Sequence, residues 1–118
     1  MTVVQTCALP ICHIGLQETS KVLRAGIRNT DTVGRWGGEE FLMVLPDTTL
    51  EGVQVVMNRL MRDMRKLRIA HEKDFIKPRL SIGCFFHTDD MSVSEVIVEA
   101  DRALYIAKNN GKDQVCYL

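Results

Sequence analysis

Asp31-Thr32-Val33-Gly34-Arg35-Trp36-Gly37-Gly38-Glu39-Glu40-Phe41-Leu42-Met43-Val44-Leu45 is the stretch on which the reading of this chain turns. It reads as strand, tight turn, strand. Gly37-Gly38 supplies residues able to take the positive-φ positions of a two-residue hairpin turn, and Phe41 to Leu45 is an apolar run of buried-strand length. The turn delivers two carboxylates. Successive side chains of an extended chain leave on opposite faces, so Glu39 and Glu40 are expected to do different jobs. One holds a hard cation while the other meets a hydroxyl or a second cation. By spacing alone, a Gly-Gly turn kept soluble by two acids is the blander alternative.

Working outward, Leu16, Thr19, Leu23 and Ile27 recur at three and four and draw one face of a helix running to about Arg28, where Asn29 is a plausible stop. Arg28 and Asp31 then sit three apart on the loop into the first strand. They form either a local surface ion pair or a fork of donors for a phosphate or guanine edge, with the carboxylate accepting from guanine nitrogen. On the other side, Pro46-Asp47 turns the chain, Thr48 and Glu51 have capping-box spacing, and a helix is expected to about Arg68. Leu50, Val53, Met57, Leu60, Met64 and Leu67 mark its buried face. Its methionines are core filler, and Arg59, Arg62, Arg65, Lys66 and Arg68 give it a basic outer face.

Ala70 to Pro78 reads as a polar connection, and Arg79 to His87 as a strand alternating Leu80, Ile82, Cys84 and Phe86 on one face. Gly83 allows close backbone approach beside the hairpin. Thr88-Asp89-Asp90 is a loop whose acids are turn residues. Ser92 and Glu95 form a second capping box, opening a helix that buries Val96, Ile97, Ala100, Ala103, Leu104 and Ala107 and ends at Asn110-Gly111. Lys108 and Lys112 lie near its end, where lysines complement the helix dipole. Val115 to Leu118 closes the sheet. This order gives an α/β sandwich, a mainly antiparallel sheet covered by helices.

At 118 residues the chain holds one domain, and its formal charge is zero, which removes the polyelectrolyte argument for nucleic acid. Four cysteines, Cys7, Cys12, Cys84 and Cys116, lack zinc spacing and read as small hydrophobes in a reducing compartment. No apolar run reaches membrane-span length, so a cytoplasmic location is expected, although a full-length parent could be membrane-anchored. Met1 to Gly15 has no clear period, and Pro10 argues against a central strand there.

Gly37-Gly38-Glu39-Glu40-Phe41 resembles the signature turn of the GGDEF domain, the diguanylate cyclase family, in its GGEEF form. Arg28-Asn29-Thr30-Asp31 resembles the family's RxxD element, Ser81-Ile82-Gly83 its SIG strand, and Ala100 to Lys112 its closing ALYxAK helix. The resemblance covers Leu16 to the end and implies a ferredoxin-like, palm-type fold. It also implies condensation of two GTP into cyclic di-GMP with release of pyrophosphate, by two domains facing each other as a homodimer. Glu39 and Glu40 would be the Mg²⁺ ligands, with Mn²⁺ as a substitute, and Glu40 would also aid deprotonation of the attacking hydroxyl. Gly37 and Gly38 would keep side chains off the phosphates, Lys108 and Lys112 would bind those phosphates, and Arg28 and Asp31 would form the allosteric product-inhibition site. A sensor or receiver domain is expected in a full-length parent.

Before Leu16 the resemblance stops. Counting back from Gly37, the family's guanine-binding Asp falls at His13, its guanine-binding Asn at Val4, and its first metal-binding Asp before Met1. The expectation is therefore a partial domain over 16–118, preceded by an atypical, foreign segment over 1–15. The family's first strand and helix would be missing or replaced, and turnover weak or lost. The alternative is a catalytically silent cyclic di-GMP receptor using Arg28 and Asp31.

Overall fold

The hairpin forms, with its turn one residue later than the two glycines suggest. In the computed structural model, which describes residues 2–9 and 13–118, β2 (Thr32–Gly37) and β3 (Glu40–Leu45) are joined by Gly38-Glu39. Gly38 alone takes a positive φ, 45°, while Gly37 ends β2 paired with Glu40. A bulge between Arg35 and Gly37 takes up the extra residue. Bulges of this kind leave one residue unpaired and raise local twist, and Trp36 at its centre is 53% exposed.

The remaining elements are β1 (Thr2–Leu9), α1 (His13–Gly26), α2 (Leu50–Lys66), β4 (Ile69–His71), β5 (Asp74–Ile76), β6 (Arg79–Phe86), α3 (Val93–Asn109) and β7 (Val115–Tyr117). Five strands make one sheet in the order β2-β3-β1-β6-β7, antiparallel except for the parallel β6/β7 pair. Thr2–Leu9 is therefore the central strand, pairing β3 on one side and β6 on the other. This corrects the expectation that residues 1–15 hold no central strand. Its run of β-branched residues suits a pleated, fully covered position, which aperiodic patterning concealed. Pro10 and Cys12, and the side chains of Cys7, His13 and His71, lie outside the described residues.

Strand alternation sorts the core into two layers. Phe41, Met43 and Leu45 of β3, Leu80, Ile82 and Cys84 of β6, and Val4 of β1 face Leu23 of α1 and the apolar side of α2. The intervening residues Val3, Leu42 and Phe85 meet Val96, Ala100 and Ile97 of α3 on the other face. Each fully buried Leu or Met contributes about 1.5–3 kcal/mol by area removed from water. Burial also makes Cys84 inert, because desolvation, helped by nearby Cys116, pushes its thiol up to about 12.

Three local expectations change. The α2 cap is Thr49, whose hydroxyl accepts from Gly52 N at 3.1 Å, not Thr48 with Glu51. Residues 70–78 are not a simple connection, since β4 and β5 pair as a small hairpin whose turn puts Glu72 at φ 55°. With no glycine there, the turn had no sequence signal. Gly83 does allow close approach, but to α3. A Cβ at that position would lie 2.2 Å from Leu104 N and 2.5 Å from Ala100 O. The Ser92–Glu95 capping box forms as expected, with Glu95 N donating to Ser92 Oγ at 3.2 Å.

Candidate active site

β3 opens on Glu40, and the first helical face beyond its α3 side carries Lys108. The Lys108 ammonium lies 3.8 Å from Glu40 Oε1, and both side chains are partly exposed. That distance is too long for a hydrogen bond, and among the described residues no other group engages the ammonium, which leaves its donors to meet a third, anionic group. Two of the expected site residues are thus brought together from opposite ends of the sequence. Glu39 occupies the turn itself, half-buried, next to Gly38. Nothing lies within 4 Å of a Cβ built at Gly37 or Gly38, so both glycines face open space. Lys112 is past the end of α3 with φ 63°, and no contact joins its ammonium to the hairpin among the described residues.

Position 7 of β1 lies directly across from Glu40 in the strand register. The residue there is Cys7, whereas counting along the sequence had put the family's first metal-binding Asp before Met1. Among the described residues no group of three His, Cys, Asp or Glu side chains could hold a metal ion. Mg²⁺ is commonly held by one or two carboxylates together with substrate phosphates. Glu39 and Glu40 fit a cation arriving with a triphosphate, and do not by themselves make a free-standing site. Val4, where the family's guanine-binding Asn falls by counting, is fully buried inside the sheet and offers no side-chain donor or acceptor.

Arg28 and Asp31 lie at the other end of β2, roughly 20 Å from the turn at about 3.3 Å per residue. They bind one another. Arg28 Nη2 donates to Asp31 Oδ1 at 2.8 Å and Nε to Oδ2 at 3.2 Å, while the Arg28 backbone N–H donates to Oδ2 at 2.8 Å. Arg28 Nη2 also donates to Pro46 O at 2.7 Å. The Asp31 side chain has no exposed surface. Burial alone would raise its pKa, but the Arg28 hydrogen bonds outweigh this and hold it below the ordinary carboxylate value. The same hydrogen bond raises Arg28. The pair braces α1, β2 and the turn after β3 as a part-exposed arginine closing over a buried carboxylate, so it is a local ion pair with one side hidden from solvent.

Arg35 was not singled out from the sequence, yet it takes part in the turn, its Nε donating to Gly38 O at 3.0 Å. The available signal was a cation two residues before a glycine pair. Reading it required the bulge that turns Arg35 back over Gly38.

A family profile described as "Diguanylate cyclase, GGDEF domain" matches residues 13–114. Diguanylate cyclase A of Treponema denticola is 35% identical over 103 residues, a match covering 86% of this chain and 28% of that protein. The chain thus spans less than a third of that relative's length. Among solved structures, diguanylate cyclase SiaD of Pseudomonas aeruginosa, in complex with its activator SiaC, superposes with a TM-score of 0.92 at 26% identity, covering 99% of this chain and 49% of that one. The GGDEF domain of DgcB from Caulobacter crescentus, in complex with c-di-GMP, gives a TM-score of 0.79 at 21% identity over 98% of this chain and 78% of that one, a likeness of fold. On the strength of the profile match and the shared signature turn, this chain belongs to the GGDEF family of diguanylate cyclases.

Proposed function

We propose that this chain acts as one half of a diguanylate cyclase, each of two facing copies holding one GTP across its Gly38-Glu39 turn. The single observation that carries the reading is the 3.8 Å approach of Lys108 to Glu40, which joins a phosphate-binding cation to a carboxylate at the mouth of an open glycine turn. In the reaction, the 3′ oxygen of each nucleotide forms a bond to the α-phosphorus of the other. The bond from that phosphorus to the bridging oxygen of the leaving pyrophosphate breaks, and the hydroxyl proton passes to Glu40 or to water.

Little covalent work falls to the protein in such a transfer; positioning and charge do most of it. Lys108 offsets phosphate charge, and this reading gives Lys112 the same role. Gly37 and Gly38 let phosphate oxygens approach the backbone. Glu39 and Glu40 are the residues that would hold Mg²⁺, or Mn²⁺ in its place, and the bound cation would lower the hydroxyl's pKa and neutralise phosphate oxygens. With Cys7 across from Glu40, the donor set is short by one carboxylate, so turnover is expected to be slow and to need high Mg²⁺.

Among the described residues no helix is long and apolar enough to cross a membrane, and a cytoplasmic site of action, where GTP is held, belongs to this proposal. So does regulation by a sensor or receiver domain in a longer protein. The alternative, a cyclic di-GMP receptor using Arg28 and Asp31, is less well supported because the buried Asp31 carboxylate already accepts three hydrogen bonds from Arg28, which leaves only the part-exposed Arg28 guanidinium to meet a ligand.

The test is to incubate the chain with GTP and Mg²⁺ and to resolve cyclic di-GMP by chromatography across a range of protein concentrations. Product should form at a rate rising with the square of protein concentration, and Glu39→Ala should abolish it. Cys7→Asp should lower the Mg²⁺ concentration for half-maximal rate. Product binding with no turnover at any concentration would turn the reading to the receptor.

A further inference from the structure

The basic face of α2 has no part in the nucleotide chemistry, and its carboxyl-terminal half borders an open edge of the sheet. β7 is the last strand in the order β2-β3-β1-β6-β7, at the edge away from the Gly38-Glu39 turn. Its parallel ladder with β6 uses alternate residues. Ile82 N donates to Gln114 O at 2.9 Å and Leu118 N to Cys84 O at 3.0 Å, with Ile82 in register with Val115 and Cys84 with Tyr117. Residues 114, 116 and 118 are therefore turned toward β6, and the backbone N–H and C=O of Val115 and Tyr117 point off the sheet. No further strand meets them among the described residues. Beside this edge, α2 and β7 enclose a groove of about 710 Å³. Buried Met61 and half-buried Val115 and Tyr117 give it an apolar lining, and Arg62, Arg65 and Lys66 bring three cations. Among the described residues no carboxylate lines it.

Neighbouring acids answer these cations only in part. Arg62 Nε donates to Asp63, and Arg65 Nε and Nη2 donate to Asp113, while Lys66 has no acidic partner among the described residues. A second copy pairing β7 against β7 about a two-fold axis would set two such basic faces side by side, with like charges opposed. An extended acidic segment answers both features. Its backbone meets the four outward groups of Val115 and Tyr117, and every second side chain projects to the α2 face, where carboxylates meet the cations. We infer that the β7 edge and its groove are a docking site for an acidic, extended segment of a partner protein, which joins the sheet as an added strand alongside Val115–Tyr117. The site lies across the sheet from the turn and does not rest on the nucleotide reading.

Amide hydrogen exchange of the full chain, followed by NMR with three synthetic octapeptides, tests this. A peptide alternating glutamate and valine should bind saturably and slow exchange at the Val115 and Tyr117 amides about ten-fold or more. The Cys116 amide, which faces β6, should change little. A peptide alternating glutamate and proline keeps the charge and loses half of the backbone donors, so it should bind about ten-fold more weakly. A peptide alternating lysine and valine should not bind. Arg62→Glu combined with Lys66→Glu should reverse the choice, losing the glutamate–valine peptide and gaining the lysine–valine one. Equal binding of the glutamate–valine and glutamate–proline peptides would make the groove a surface for any polyanion and overturn strand addition. Binding without protection of Val115 and Tyr117, or no binding at millimolar peptide, overturns the inference as well. Protection of those two amides that grows with protein concentration in the absence of peptide overturns it in favour of a second copy. The peptide series uses the unaltered chain, so it decides the matter even if the double variant does not fold.

Discussion

β1 and β3 lie side by side, paired residue for residue from Thr2 with Leu45 to Cys7 with Glu40, and they meet the same buried environment with different chemistry. Toward α1 and α2, β3 presents Leu45, Met43 and Phe41, all buried hydrocarbon or thioether. Opposite them β1 presents Thr2, Val4 and Thr6, equally inaccessible, and the hydroxyls of Thr2 and Thr6 have no partner among the described residues. At the end next to the turn, Glu40 of β3 has position 7 of β1 as its register partner. The fold asks of its central strand only an extended, β-branched run that fits between two neighbours. The proposed chemistry asks for particular atoms as well, which strand preference does not supply.

The largest effect should come from disturbing the well-matched side. Gly83 of β6 pairs with Gln5 of β1 and lies against α3, where the atoms closest to an added Cβ are backbone, at 2.2 and 2.5 Å. Backbone cannot swing aside as a side chain does, so Gly83→Ala must push α3 off the sheet. We expect a loss of roughly 3 kcal/mol, seen as a fall of about 10 °C or more in Tm by circular dichroism. A melt matching the unaltered chain within a degree or two would mean that α3 and β6 are not held this closely.

A smaller effect distinguishes a buried polar group that is satisfied from the two on β1 that have no partner among the described residues. Asp31 is hidden from solvent but receives three hydrogen bonds from Arg28. Because its folded pKa lies below its unfolded value of about 3.8, its contribution to stability is fully present above that value. It is lost as pH falls through the lower, folded pKa. Asp31→Asn should therefore reduce Tm at pH 7 by several degrees and flatten the decline in stability below about pH 4. An unchanged acid limb in the variant would assign that decline to other carboxylates.

How far the sequence could be read follows the same division. Where local signals agreed, the reading held: the glycine turn before an apolar run located the hairpin, and Ser92 with Glu95 located the start of α3. Signals failed where the deciding contact was distant. Nothing in Thr2 to Leu9 announces a central strand, because its place depends on β3 and β6 supplying edges on both sides. The approach of Lys108 to Glu40 joins residues 68 apart in the chain, and only the resemblance linked them beforehand. Arg35 was overlooked because its role needs the bulge at Trp36, and the β4/β5 hairpin because Glu72 turns the chain without glycine. The Arg28–Asp31 spacing was legible, but the burial of the Asp31 side chain and the bond from Arg28 to the carbonyl of Pro46, 18 residues on, were not, since both depend on tertiary packing.

The smallest predicted effect is also the sharpest probe of the β1/β3 difference. Thr6 is fully buried, its register partner is Phe41, and among the described residues its hydroxyl has no hydrogen-bond partner. Valine keeps the branched shape and the β preference while replacing that hydroxyl with a methyl group, so Thr6→Val should stabilise the chain by about 1 kcal/mol, or roughly 5 °C in Tm. The reverse exchange one step along the same face, Val4→Thr, should cost a comparable amount. If Thr6→Val instead destabilises, the hydroxyl has a partner, and β1 is better adapted to its place than its chemistry indicates. If it stabilises while GTP binding stays as it was, a central strand can be improved as a strand without moving toward catalysis. Cys7→Asp, one residue along, would then change the site without improving the core.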